Sequence, residues 1–412
     1  MKHTKKLLSL LLVLCLILSL SCTAFAADEA KPLTGKTVIL HSNDVHGAID
    51  LYAAMASLKA DYEAQGAEVI LADAGDYSQG TVYVSVHKGA DAVTMMNATG
   101  YDVATIGNHE FDYGYAQLAE NMKAAKFKVL CADVLDADGK TIFDANTIIE
   151  KGGVKIGFFG LETPEAQTKA NPKLIEGLKF LAGKDGKELY ACADAQVKAL
   201  KEQGADLVVC LSHLGIDGSS EPYTSYDLAA NVEGIDFIID GHSHTVMANK
   251  QVTDASGKAV TLTQTGSYFK NIGKMTVGAD GTITTELIDT YEGLDAAVAA
   301  TASNWISAVD DMLGEEIAVG DGEFYISDAE TGKRRIRSAE TNLGDFVADG
   351  IYAYFNEIEE LHCDIAVMNG GGIRADVPAG AWSFKTCKMV SPFGNVACLM
   401  SVTGKQIQDA LE

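Results

Sequence analysis

The sequence predicts an α/β protein with a large first domain of mostly parallel sheet and a smaller α/β domain behind it. Three observations carry this. From residue 36 short β-rich apolar runs alternate with helical stretches, as in chains that cross over between parallel strands. After Thr261 the pattern changes to hairpin-like strands. A second segment, again strand and helix, begins near Ile317. In chain order the apolar runs are Thr37–Leu40, Glu68–Ala72, Val103–Ile106, Lys128–Cys131, Val154–Phe159, Leu207–Leu211 and Phe237–Ile239. Most are separated by helical stretches: Asp50–Gln65, Ala90–Thr99, Tyr115–Lys126 and Lys187–Gln203. Asp280-Gly281 reads as a turn between strands Lys274–Val277 and Ile283–Leu287. Leu294–Leu313 is a long helical stretch with no strand partner nearby, read as an interdomain connector. The second segment holds a helix at Leu343–Phe355, a strand at Asp364–Met368 and a Gly-rich loop, and Gln406–Glu412 opens another helix.

Composition bounds what such a chain does. Its 412 residues suit two or three domains. With 47% hydrophobic residues, 22% charged residues and only 6 Pro it is a folding composition. A formal net charge of −25 argues against nonspecific attraction to nucleic acid or an anionic membrane. The N-terminus reads as a secretory signal peptide over residues 1–26: Lys2, Lys5 and Lys6, the apolar run Leu7–Leu20, then Ala24-Phe25-Ala26 before the cut. That run is shorter than the ~20 residues a membrane span needs. Lipoprotein processing at Cys22 is the alternative, with Ser19-Leu20-Ser21 a poor lead-in. Cleavage removes three basic and no acidic residues and takes the charge to −28, placing the mature protein outside the cell or on its envelope. Of the six Cys left, Cys131 and Cys210 sit in apolar runs and read as small buried hydrophobes.

The chemistry gathers just past the strands. Thr37–Leu40 is followed by His41-Ser42-Asn43-Asp44-Val45-His46, and Glu68–Ala72 by Asp73-Ala74-Gly75-Asp76. Val103–Ile106 leads into Gly107-Asn108-His109-Glu110-Phe111-Asp112, Leu207–Leu211 into Ser212-His213, and Phe237–Ile239 into Asp240-Gly241-His242-Ser243-His244. The carboxyl ends of parallel strands form the ligand crevice of an open α/β sheet. Asp44, Asp76 and Asn108 are spaced 32 residues apart, about the length of one βαβ step, so each returns to the same rim. Carboxylate, imidazole and amide donors without Cys suit Zn, Mn, Co or Fe(II) rather than a structural zinc site. More than four such donors argue for two ions, which can clamp an in-line displacement at phosphorus and activate a bridging water as nucleophile.

Asp44-x-His46, Gly75-Asp76, Gly107-Asn108-His109-Glu110, His213 and Gly241-His242-Ser243-His244 together resemble the signature of calcineurin-like metallophosphoesterases, and in particular the secreted bacterial 5′-nucleotidase family. The resemblance covers nearly all of the mature chain. It implies metallophosphoesterase-type sheets flanked by helices over 33–293, a connecting helix over 294–317 and a substrate-binding domain over 318–412. It implies that Asp44, His46, Asp76 and His244 hold one divalent ion, and that Asp76, Asn108, His213 and His242 hold a second. The family often has Gln or Asn where this chain has His244. His109, oriented by Asp112, would be the catalytic histidine that is not a ligand. Glu340–Asp345 and Asn369-Gly370-Gly371-Gly372-Ile373-Arg374 are similar to the family's nucleotide-binding domain. By position Arg337 and Arg374 would grip phosphate beside Asn369, and Phe393 would stack on the base. The second aromatic of the family's base clamp has no counterpart, and the second domain is expected to be incomplete. The implied activity is release of phosphate from nucleoside 5′-monophosphates. 2′,3′-Cyclic nucleotides, UDP-sugars or dinucleotides are the alternative substrates, and a noncatalytic surface nucleotide binder is the distant one. Nothing in the sequence sets the oligomeric state.

Overall fold

The structure is a computed structural model that describes residues 31–278, 281–328 and 330–411. The leader, its cleavage site and Asp280 of the expected turn lie outside the described residues.

The first domain is built on two six-stranded sheets, as the family resemblance implies. Strands β1 (Thr37–Ser42), β2 (Glu68–Asp73), β3 (Val103–Thr105) and β4 (Lys128–Leu130) run parallel. The antiparallel pair β13 (Ile272–Val277) and β14 (Ile283–Ile288) joins their β1 edge. The second sheet centres on parallel strands β7 (Val154–Glu162), β9 (Leu207–His213), β10 (Phe237–Asp240) and β12 (Ala259–Thr265). Antiparallel β6 (Asn146–Lys151) and β11 (Val246–Thr253) form its edges. Hairpin pairing thus starts at Asn146, where β6 turns directly into β7, earlier than the sequence pattern indicates.

Strand periodicity makes the layers. Successive side chains point to opposite faces, so Ile39 and Ile70 face the second sheet while Val38, Leu40, Val69 and Leu71 face outward. Phe158, Val209, Leu211, Phe237 and Ile239 complete the layer between the sheets. The outer face of the first sheet is covered by helices α1 (Tyr52–Ala64) and α3 (Ala90–Thr99), with the one-turn α2 (Val82–Ser85) between them and α4 (Tyr115–Met122) following. The one-turn α5 (Ala166–Lys169), whose Ala166 packs into the core of the first sheet, precedes α6 (Lys187–Glu202) and α7 (Ser225–Asn231) on the second. The last two cover the outer face. Cys131 and Cys210 are buried and unpaired.

The predicted connector is helix α8 (Ala296–Leu313), and it does not stand alone. Asp295 caps it by accepting from the Ala297 and Val298 amides. Val298, Ala302 and Val309 are buried, and Trp305 Nε1 donates to the Tyr83 carbonyl at 2.7 Å. The smaller domain pairs β15 (Glu316–Gly320) with β16 (Gly380–Ser383) around Ile326, Leu343, Ile373 and Val377. It also carries α9 (Asn342–Asn356), α10 (Phe384–Val390) and α11 (Gly404–Leu411). The strand expected at Asp364–Met368 does not form. A strand needs a neighbour for its amides, and no described strand lies beside this run; Val367 is exposed.

One buried histidine belongs to the fold rather than to the site. His41 lies on β1 against Gly273, where any Cβ would collide with its ring. Both ring nitrogens are buried without a hydrogen-bond partner, and burial pulls its pKa from 6.5 to about 3. Between those values the unfolded chain takes up a proton that the native ring refuses, so stability falls as pH drops through the window. In His41→Leu, urea unfolding of metal-free protein should lose stability more slowly below pH 6. The slope should shrink by about 1.4 kcal/mol per pH unit, the value for one proton. An unchanged slope would mean that the ring is charged when folded.

Candidate metal centre

Because β1, β2, β3, β9 and β10 are parallel within their sheets, their carboxyl ends share one rim. Backbone bonds lock the rim loops together: the Asp44 amide donates to the Gly75 carbonyl and the His46 amide to the Asp76 carbonyl, both at 2.9 Å. Close approach requires glycine there. A Cβ on Gly107 would collide with Asp76 Oδ1, and one on Gly241 would sit 2.8 Å from His213 Nδ1 and 3.0 Å from Asp44 Oδ2.

Asp44, His46, Asp76 and His244 each offer a ligand atom within 4.8 Å of the others. His244 Nε2 lies 3.0 Å from His46 Nε2 and 3.3 Å from Asp44 Oδ1. His213 Nε2 approaches Asp76 Oδ2 at 3.1 Å. The His213 and His242 rings are 5.3 Å apart. His242 is not one of the four that converge; its Nε2 faces Glu165.

Four features of the geometry fit divalent ions. His46 Nδ1 and His213 Nδ1 donate to the carbonyls of Gln79 and Ala74 at 2.8 and 2.7 Å, which leaves both Nε2 lone pairs facing the carboxylates. Asn108 Oδ1 and His213 Nε2 are buried with no hydrogen-bond partner. Asp44 and Asp76 are buried, and among the described residues no Lys or Arg is paired to either. Buried charge of this kind is stable only when compensated. Finally, Asp44, His46, Asp76, His242 and His244 all have positive φ, between 47° and 69°. Non-glycine residues rarely adopt that conformation, and such strain gathers where function requires it.

The electrostatics agree. Burial holds His46 neutral, with its pKa near 3, the form that binds metal. Burial opposes the charge on Asp76, but positive charge beside it, from His213 and His109 when they carry a second proton, outweighs burial and holds the carboxyl well below its ordinary range, as a divalent ion there would.

His109 sits beside the cluster. Its amide donates to Asp76 Oδ1 at 2.9 Å, and its Nδ1 meets Asp112 Oδ2 at 2.7 Å. The Phe393 ring lies 5.6 Å from the His109 ring at 30°, and the Arg374 guanidinium lies 4.8 Å from the centre of Phe393. Arg337 and Asn369 flank the Gly370–Gly372 turn: a Cβ on Gly371 would lie 3.0 Å from Arg337 Nη2 and 3.3 Å from Asn369 Nδ2. Sequence reasoning missed Arg334, which donates to the carbonyls of Gly370 and Ile373. Burial, with Arg374 and Arg337 close by, lowers its pKa. It lies in the same basic run as Arg337, the only signal that could have marked it. Glu110, inside the motif but given no role, is the acceptor that shapes the Asp76 loop.

The sequence profile of the calcineurin-like phosphoesterases matches residues 37–246. The chain belongs to that family. The C-terminal domain of 5′-nucleotidases matches residues 319–412. Two curated relatives show how far the likeness extends. The chain is 29% identical to the trifunctional nucleotide phosphoesterase protein YfkN of Bacillus subtilis over 93% of its own length, but spans only 28% of that protein. It is 28% identical to a 5′-nucleotidase of Vibrio cholerae, over 94% of this chain and 77% of the other. Among solved structures it is similar to a 5′-nucleotidase precursor from Thermus thermophilus, with a TM-score of 0.72 and 26% identity over 87% of this chain and 74% of that one. The protein is thus a metal-dependent phosphoester hydrolase of the 5′-nucleotidase type, with mixed sheets flanked by helices and a smaller C-terminal domain. No helix among the described residues is long and apolar enough to cross a membrane.

Proposed function

We propose that this hydrolase is exported, its leader being residues 1–26, and releases phosphate from nucleoside 5′-monophosphates. In this reading 33–293 is the catalytic domain, 294–317 the connecting helix and 318–412 the substrate-binding domain. The observation that carries it is the meeting of two domains at one point, with Phe393 and Arg374 beside His109 at the edge of the carboxylate–imidazole cluster.

Asp44, His46, Asp76 and His244 would hold one divalent ion, and Asp76, Asn108, His213 and His242 a second, from Zn, Mn or Co. Such ions supply Lewis acidity at the phosphoryl oxygens and activate water near neutral pH. The protein's own side chains do the rest. Arg374, Arg337 and the adjacent Arg334 balance phosphate charge, the guanidinium fork matching phosphate oxygens in pairs. Phe393 offers a face for the base. His109, with Nδ1 held by Asp112, presents Nε2 to the leaving nucleoside oxygen and delivers or shares a proton there.

The test is phosphate release from AMP with Mn. Chelator should abolish activity and added Mn should restore it. A folded, metal-loaded protein that releases no phosphate from AMP would overturn the reading. The likeness to a trifunctional nucleotide phosphoesterase favours including 2′,3′-cyclic nucleotides in the same assay. Faster turnover of those would make the enzyme a phosphodiesterase on the same centre.

A further inference from the structure

Each ligand imidazole needs its proton on the nitrogen that faces away from the ions, and for His46, His213 and His242 the chain provides for this in two ways. His46 and His213 are fixed by backbone carbonyls, which no side-chain substitution removes. His242 is held by side chains from elsewhere. Its Nε2 lies 2.8 Å from Glu165 Oε2, and the same oxygen lies 2.8 Å from Lys169 Nζ. Glu165 precedes and Lys169 ends the one-turn helix α5, which Ala166 and Ala170 anchor by burial.

The contact decides the tautomer. Glu165 is partly exposed and ion-paired with the Lys169 ammonium, so it is a carboxylate anion. An ionised carboxylate only accepts, so a 2.8 Å approach requires the proton on Nε2 of His242. Lys169 Nζ, 3.1 Å from Nε2, can only donate and would by itself favour a lone pair there, but its closer contact is Glu165 Oε2 at 2.8 Å, which takes up that donor and leaves the carboxylate to set the ring. The lone pair of His242 is then on Nδ1, on the ring edge away from Glu165.

We propose that Glu165, pinned by Lys169, is a positioning residue for the second divalent ion, fixing His242 as an Nδ1 ligand through a carboxylate–imidazole pair. This rests on the two-ion reading above. Carboxylates that hold a ligand histidine by its outer nitrogen commonly change metal affinity by about 10–100-fold when removed. Glu165 and Lys169 lie at the solvent-facing side of the centre, with side chains 22% and 48% exposed, so their loss leaves the packed core untouched.

The experiment is Co(II) titration of metal-free wild type, Glu165→Ala and Glu165→Gln by calorimetry and visible absorption, with melting of each metal-free protein alongside. Wild type should bind two ions. Glu165→Ala should bind the first as wild type does and the second about 10–100-fold more weakly, with an unchanged melting temperature. Glu165→Gln should recover part of the loss, because its amide oxygen still accepts from Nε2. Equal affinity for both ions in Glu165→Ala would overturn the proposal. So would equal losses at both sites with a lowered melting temperature, the mark of a merely structural role. Wild type binding fewer than two ions would remove the two-ion reading itself, and the relay with it.

Discussion

His109→Ala should lower turnover of AMP by about 10²–10⁴-fold, the range for a lost general acid, while the purified variant keeps the metal content of the wild type. The geometry supports both halves. The imidazole is held through Nδ1 by Asp112 at 2.7 Å, so Nε2 is the end left for substrate. Burial works against a charge on this ring, but Asp76 and Asp112 outweigh it and raise its pKa, which favours the proton-bearing form. Removal of the ring leaves the backbone bond from residue 109 to Asp76 intact. If the variant instead comes out short of metal, His109 is a ligand and its assignment as proton donor fails. Metal analysis and steady-state kinetics on one preparation separate the two.

Glu110→Gln should be nearly as damaging by a different route. The carboxylate is buried, and four amides converge on it. Asp76 and Gly107 donate to Oε2 at 2.8 and 2.6 Å; Tyr77 and Ser78 donate to Oε1 at 3.0 and 2.9 Å, with the Ser78 hydroxyl at 2.6 Å. No neutral side chain accepts five bonds through two oxygens. Gln would turn an NH₂ toward at least two of these donors and leave them unsatisfied, each at about 1–3 kcal/mol. The expected loss of unfolding free energy is about 2–6 kcal/mol. Metal binding should weaken with it, because the same loop aims Asp76 at positive φ. Denaturant unfolding with metal titration checks this; wild-type stability would show that water replaces the lost acceptor.

Much of this site is legible in the sequence because its ligands lie beside glycine at strand ends, where residue type and spacing carry the message. Asp44, His46, Asp76 and His244, grouped by the family resemblance, lie together, and His109 lies against Asp112. Residues that act on backbone leave no comparable trace. Glu110 is visible as a motif letter, but nothing in the sequence says that its partners are amides of another loop. Glu165 precedes and Lys169 ends a single turn too short to show periodicity. The residue pattern hides the division into two sheets for another reason. A parallel strand buried on both faces is a continuous apolar run, and Val154–Phe159 reads the same whichever sheet it joins. Strand β11 is missed because Val246–Thr253 is half exposed and largely polar. Asp364–Met368 errs the other way, its apolar run having β character without a strand to pair with.

The position of β1 has a consequence for the order of assembly. The loop after it holds Asp44 and His46, the first candidate ligands of the chain, yet the strand's neighbours are β2 on one side and β13 on the other. Asn43, next to Asp44, takes its donors from Thr265, 222 residues away. Asp44 is therefore not fixed in its ligand pose until the chain has been made, and moved, past residue 277. Contacts of such separation close late, since the loop entropy must be met first. A chain still being synthesised has these carboxylates and imidazoles scattered, so a divalent ion that needs them together would find its site only in the finished fold.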